Sequence, residues 1–245
     1  MQIPVVRNIL EANARIAADL KAFFTERGIL VLNLMSSPGA GKTTLLERTL
    51  SDLRDEMRMA VIEGDLQTDN DARRVAATGA QAVQINTEGG CHLTSSQVQE
   101  AAKSLDLTGL DILFIENVGN LVCPAEFDVG EDCKVTLLSV TEGDDKPEKY
   151  PLMFHISAAM LLNKVDLLPY VDFDMERAGR HARTLNADIA LFPVSARTGE
   201  GLDVLSRHIL DRVRPGPGVQ VRTVPPETAP VEPAETALQA TCPGR

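Results

Sequence analysis

The sequence predicts an α/β fold built on a mostly parallel sheet with helices on both faces. Two observations carry this. Seven short apolar runs alternate with stretches of helical periodicity, and that alternation favours right-handed βαβ units. The 245 residues contain no Trp and only 4% aromatics, so the core must be aliphatic, as in buried parallel sheets. The strand-like runs are ILVLNLM (29–35), MAVIE (59–63), AVQIN (82–86), DILFIEN (111–117), KVTLLSV (134–140), AAMLLNK (158–164) and IALFPVS (189–195).

Ahead of the first run, apolar residues recur at Val5/Val6, Ile9/Leu10, Ile16/Ala17, Leu20 and Phe23/Phe24. The spacing is that of an amphipathic helix, with Asn13 as the polar interruption. The first strand leads into SSPGAGKTT, and LLERTLSDLRDEM continues as a helix. After the third strand, Thr94-x-x-Gln97 forms a capping-box pattern that opens a helix containing Val98, Ala101, Ala102 and Leu105. From Pro215 onward the chain holds 7 of its 14 prolines and little that packs, which reads as a disordered tail. The expected organisation is an N-terminal helix packed on the main domain (1–27), that domain (28–214) and a Pro-rich tail (215–245).

A hydrophobic content of 44% suffices for one sizeable core. The net charge of -11 repels phosphate backbones and argues against a nucleic-acid partner. No apolar run approaches the length of a bilayer span, which argues against a membrane protein. The start MQIPVVRNILEANAR lacks a secretory pattern, so the expectation is a cytoplasmic protein. Four irregularly spaced cysteines (Cys91, Cys123, Cys133, Cys242) then read as thiols or ligands rather than a disulfide framework.

Strand, glycine-rich turn and helix are the context of a phosphate-binding loop. Ser37, Pro38, Gly39, Ala40, Gly41, Lys42, Thr43 and Thr44 form the expected nucleotide-binding segment, with Ser36 where the strict pattern has glycine. Glycines let backbone amides and the helix N-terminus face the phosphates. Lys42 is placed to reach the β- and γ-phosphates, and the Thr43 hydroxyl to ligate Mg2+.

The nucleotide is read as GTP from NKVD, at the end of the sixth strand-like run. Asp166 can accept from guanine N1–H and the 2-amino group, whereas adenine leaves the carboxylate unpaired. Lys164 can lie across the base and Asn163 can brace the loop. Ser195 and Ala196 follow the last strand and suit backbone contact to the base carbonyl.

Two acidic groups lie between these motifs. Glu63, Asp65, Asp69 and Asp71 follow the second strand; Glu116-x-x-Gly119 ends the fourth. Oxygen ligands at these strand ends suit magnesium, with Thr43, Glu116 and Asp71 the candidates. The three aspartates are not ranked by pattern alone, and an acidic solvated turn is the plain reading of them. Lys42, Thr43, Asp65, Asp71, Glu116 and Gly119 make up the expected hydrolytic machinery, with Gly119 sensing the γ-phosphate. No glutamine follows Gly119 to position water, so slow intrinsic hydrolysis is expected.

Cys91 and His92 follow the third strand, and Cys123 lies four residues beyond Gly119. In a parallel sheet both loops leave at one edge. Thiolate and imidazole suit zinc, nickel or copper and not magnesium. A buried small hydrophobe and an ordinary loop histidine remain equally compatible with the spacing. Three ligands fall one short of a closed tetrahedral site, so a water or a second subunit has to supply the rest, which favours a site at a two-fold interface.

The segments LNLMSSPGAGKTTLLERTL, INTEGGCHL, IENVGNLVCPAEFDVGE, VTEGDDKPEKYP, LLNKVDLLPY and SARTGEGL together resemble the HypB family of hydrogenase nickel-incorporation GTPases. The similarity runs from about Val5 to Val213. It implies a P-loop GTPase of the signal-recognition-particle/MinD/BioD-like class, so that 28–214 is a GTPase domain. It further implies GTP/GDP and Mg2+ as ligands, a nucleotide-dependent homodimer, and a HypA-type zinc-containing nickel accessory protein as partner. The client is then a [NiFe]-hydrogenase large-subunit precursor. Carried over by position, the Ni2+ or Zn2+ ligands are Cys91, His92 and Cys123. Many members begin with a Cys-x-x-Cys-Gly-Cys nickel motif and a His-rich stretch; MQIPVV has neither. The resemblance therefore implies a single metal site, in the GTPase domain.

Overall fold

The computed structural model describes residues 5–65 and 74–213. Seven strands form its sheet: β1 (Leu30–Ser36), β2 (Met59–Asp65), β3 (Gln81–Asn86), β4 (Ile112–Glu116), β5 (Cys133–Ser139), β6 (Ala159–Asn163) and β7 (Ala190–Pro193). All pair in parallel, in the order β3-β2-β4-β1-β5-β6-β7. Each strand-like run of the sequence corresponds to one of them. Both faces of the sheet must be buried for such apolar strands to be stable, and helices cover both.

The helices are α1 (Val5–Glu26), α2 (Lys42–Leu53), α3 (Ser95–Ala102), α4 (Cys123–Glu126), α5 (Lys146–Lys149), α6 (Pro151–His155), α7 (Met175–Leu185) and α8 (Leu202–Val213), with a 3-10 segment at Val165–Tyr170. Alternation along β1 shows how the layers divide. Leu32 and Leu34 join a cluster with Leu45, Leu46 and Leu50 of α2 and Leu205 and Ile209 of α8. Val31 instead packs with Ile62 and Leu113 against Leu20 and Phe24 of α1 and Val98 of α3. Towards the β6 side, Met35, Leu138 and Met160 bury Met153 and Phe154 of α6 and Ala182 of α7.

The capping box at Thr94 forms as the pattern predicts, with Thr94 and Gln97 bonding reciprocally. One boundary differs. The helix ends at Ala102 with Lys103 as its C-cap, so Leu105 is not in it. Leu105 is nonetheless buried, because the chain turns and drops it into the α1/α3 cluster. The Pro-rich tail and Cys242 lie outside the described residues.

Because every strand runs the same way, every loop after a strand emerges at one edge. The chain crosses β1 between β4 and β5, reversing the direction of strand addition. Open α/β sheets bind ligands outside the carboxyl ends at such a switch point.

Candidate functional site: a phosphate loop beside a thiol and imidazole cluster

The phosphate loop follows β1. Gly41 caps α2 with φ 100°, and a Cβ there would stand 2.7 Å from Asn163 Nδ2. Only glycine satisfies both the conformation and the approach. Lys42 is buried, and its Nζ donates to Ser36 Oγ at 2.9 Å. Ser36 in turn donates to the Ser37 carbonyl at 2.6 Å. The departure from glycine at 36 thus has a role: its hydroxyl receives the loop lysine. Ser37 Oγ donates to Glu142, whose other oxygen accepts the Ser139 N–H at 3.0 Å. No role for Glu142 follows from sequence pattern; its position just after β5 is the signal that marks it.

The NKVD segment and the Ser195–Ala196 turn lock onto this loop. Asn163 Nδ2 donates to the Ala40 carbonyl at 2.9 Å, and its Oδ1 accepts the Ala196 N–H at 3.1 Å. Lys164 Nζ donates to the Gly39 carbonyl at 2.7 Å. Its own φ of 65° is left-handed, a strained conformation for a non-glycine residue. The buried Ser195 donates to Asp166 Oδ1 at 2.6 Å and so orients the carboxylate. In this state the Ala196 N–H serves Asn163, where a contact to the base carbonyl was expected from the small-residue turn. Arg74 Nη2 lies 3.3 Å from Thr44 Oγ1.

Thr43 Oγ1 donates to Glu116 Oε1 at 3.0 Å. Glu63 sits in register with Glu116 on the neighbouring strand, and both are buried (2% and 5% exposed). A hydroxyl and two carboxylates at one sheet edge are the hard oxygen donors that magnesium takes, so the residues fit that ion. Asp69, Asp71 and the side chain of Asp65 lie outside the described residues. A Cβ on Gly119 would meet Pro38 Cα and N at 3.0 Å, so the segment after β4 lies directly on the phosphate loop.

Across the end of β2, the loops after β3 and β4 bring Cys91, His92 and Cys123 together. One ligand atom of each lies within 4.8 Å of the others, and Cys91 Sγ is 3.5 Å from His92 Nδ1. Cys123 opens α4, where Asn120 Oδ1 accepts the N–H groups of Val122 and Cys123 at 2.7 and 3.3 Å. The His92 ring stacks on Phe127, with centroids 3.9 Å apart. Burial pulls the His92 pKa below its ordinary value, with the Glu126 charge opposing. The adjoining Cys91 thiol, and then burial, push the Cys123 pKa up. Two sulfurs and an imidazole nitrogen form a donor set for zinc or nickel. Cys133 lies elsewhere, at the start of β5, where Arg212 Nη1 donates to its sulfur at 2.9 Å.

This topology, with a glycine loop and a base loop at the switch point, defines a P-loop GTPase fold. The model of the CobW/HypB/UreG nucleotide-binding domain matches residues 30–193. The chain is 57% identical over 196 residues to a hydrogenase maturation factor HypB of Escherichia coli K12, covering 80% of this chain and 68% of that one. It is 45% identical over 204 residues to a hydrogenase/urease maturation factor HypB of Helicobacter hepaticus, covering 82% and 84%. Among solved structures it resembles Helicobacter pylori HypB in complex with nickel, with a TM-score of 0.79 and 39% identity over 83% of this chain and 95% of that one. The chain belongs to the CobW/HypB/UreG family and, within it, to the HypB hydrogenase maturation factors.

Proposed function

We propose that the protein is a GTP-hydrolysing switch that assists nickel insertion into a [NiFe]-hydrogenase. The observation that carries this is the shared segment: the strand end with Glu116 and Gly119 continues without a break into Cys123. Gly119 lies on the phosphate loop, and Cys123 lies beside Cys91 and His92.

On the nucleotide side, backbone amides of 39–44 and Lys42 hold the phosphates, and Asp166 reads guanine. Lys42 leaves Ser36 to reach the β- and γ-phosphates. Bound Mg2+ offsets charge on the transferring phosphoryl group. Thr43 and Glu116 would hold it, with Asp71, Asp65 or Glu63 in supporting positions. Hydrolysis removes the contact that holds Gly119, the segment relaxes, and Cys123 withdraws from its two partners. Nickel is then cargo released in one nucleotide state; zinc is the alternative occupant of the same donors. The missing fourth ligand favours a second copy of the chain at the site. The exposed apolar Val122, next to Cys123, supports burial of this edge in a homodimer.

The partners on this reading are a HypA-type nickel/zinc accessory protein and the hydrogenase large-subunit precursor, in the cytoplasm. Among the described residues no helix is long and apolar enough to cross a membrane. A second reading keeps the GTPase and adds urease as client, and the name of the H. hepaticus relative favours it. Single-turnover GTP hydrolysis tests the enzyme claim. Lys42→Ala should lower the rate by about 10²-fold or more, the usual cost of losing one preorganised charge-stabilising group. An unchanged rate would contradict the role given to Lys42, and no GTP turnover in the wild type would leave a metal-binding scaffold that does not hydrolyse nucleotide.

A further inference from the structure

Asn13 interrupts the apolar stripe of α1, yet its side chain is only 8% exposed. Both ends of its amide are used. Nδ2 donates to the Asp128 carbonyl at 2.7 Å. Oδ1 accepts the Ser95 N–H at 2.8 Å, and the Ser95 hydroxyl lies 2.9 Å from Oδ1 and 2.8 Å from the Asn13 carbonyl. Ser95 is three residues beyond His92, and Asp128 is five beyond Cys123. One side chain therefore donates to one ligand-bearing segment and accepts from the other.

The same two segments are joined a second time on the far side. The Leu93 N–H donates to Asn117 Oδ1 at 3.1 Å, and Asn117 Nδ2 donates to Asn33 Oδ1 at 3.2 Å. Asn33 Nδ2 donates to Glu131 Oε1 at 3.1 Å. Lys134 Nζ stands 3.6 Å from that oxygen and donates to Asp128 Oδ1 at 2.6 Å. The chain of contacts returns through Asp128 to Asn13 and closes into a ring that ties the two ligand-bearing segments together. Apart from the exposed Asp128 the side chains of this ring are buried, and buried polar networks fix geometry when their members are satisfied and are costly when one is lost.

A plainer role exists for Asn13, as a satisfied core amide that docks α1. Docking alone does not need it, because Ala17, Leu20 and Phe24 already bury that face. A leucine at 13 would extend the same stripe. What an aliphatic side chain cannot do is hold two loop backbones at a set separation.

We propose that Asn13 is a positioning residue for the Cys91–His92–Cys123 cluster, fixing the distance between its two loops. The inference rests on the reading of that cluster as a metal site. Partners that orient metal ligands without touching the ion typically change affinity 10- to 100-fold when lost.

The test is nickel titration of the full chain, read by affinity and by the thiolate-to-nickel charge-transfer band, with GDP affinity measured alongside. Asn13→Leu should weaken nickel binding by about 10-fold or more and shift the band, while GDP affinity stays within about twofold. Asn13→Asp keeps the acceptor end but faces the Asp128 carbonyl with a carboxylate, and should give an intermediate loss. Leu20→Ala loosens the same helix through packing alone and should leave the nickel affinity near wild type. Wild-type nickel binding in both Asn13 variants overturns the proposal. So does an equal loss in Leu20→Ala, or a failure of both Asn13 variants to fold while Leu20→Ala folds. Cys91→Ala separates the two ideas: wild-type nickel affinity in that variant would refute the metal-site reading itself, whatever the Asn13 variants do.

Discussion

Ser36 and His92 show how single residues are tuned by what surrounds them. Glycine at 36 would leave the buried Lys42 ammonium without the hydroxyl that receives it, and a buried cation needs such partners. Burial holds His92 in a state that disfavours its charged form, with the Glu126 charge opposing. That has a consequence for stability. His92 and His208 both titrate below their ordinary value of 6.5 in the folded chain. The unfolded chain therefore binds more protons than the folded one as pH falls through 6.5, so stability present above that value is lost below it. Urea midpoints of the metal-free protein should fall between pH 7.5 and 5.5. Each of His92→Gln and His208→Gln should remove part of that fall; a decline identical to wild type in both variants would contradict it. The local backbone was legible where a motif fixes it, as at Gly41, whose φ of 100° only glycine adopts readily. Ser36, Phe127 and Glu142 were not legible, because their roles depend on neighbours distant in sequence.

Among the elements, α3 carries the clearest local signal. Thr94 and Gln97 satisfy each other's backbone donors at the helix start, two residues after His92. Thr94→Ala should cost about 1 kcal/mol of stability, the usual value of a lost N-cap, measured from the shift in urea midpoint. A shift indistinguishable from zero would mean that tertiary packing alone fixes this turn. The central strands were legible because buried parallel strands are short, continuous and β-branched or leucine-rich, and the half-buried edge strands β3 and β7 keep the same short apolar runs. The end of α3 was not. Leu105 continues the helical spacing, yet the chain turns at Lys103 and still buries that side chain. Periodicity records which residues go inward, and a turn can satisfy it as well as a helix.

For the molecule as a whole, strand order matters more than any one motif. Cys91 and Cys123 leave strands that are not adjacent, and β2 separates them. Sequence predicts that both loops share an edge, but the strand order and the polar ring through Asn13, Asn117 and Glu131 bring them within ligand distance. The ring's members lie on α1, on β1, just after β4, at the start of α3, in the loop before β5 and on β5 itself, so only the folded arrangement reveals it. The central claim is that the nucleotide site and the thiol–imidazole cluster share one moving segment. A ligand shifts such an equilibrium only by its differential affinity for the two states. Coupling free energies of this kind usually correspond to affinity changes of about 5- to 150-fold. The direct measurement is nickel affinity of the full chain saturated with GDP and, separately, with a non-hydrolysable GTP analogue. The account predicts at least about a fivefold difference that disappears in Cys123→Ala; equal nickel affinities in the two nucleotide states would contradict it.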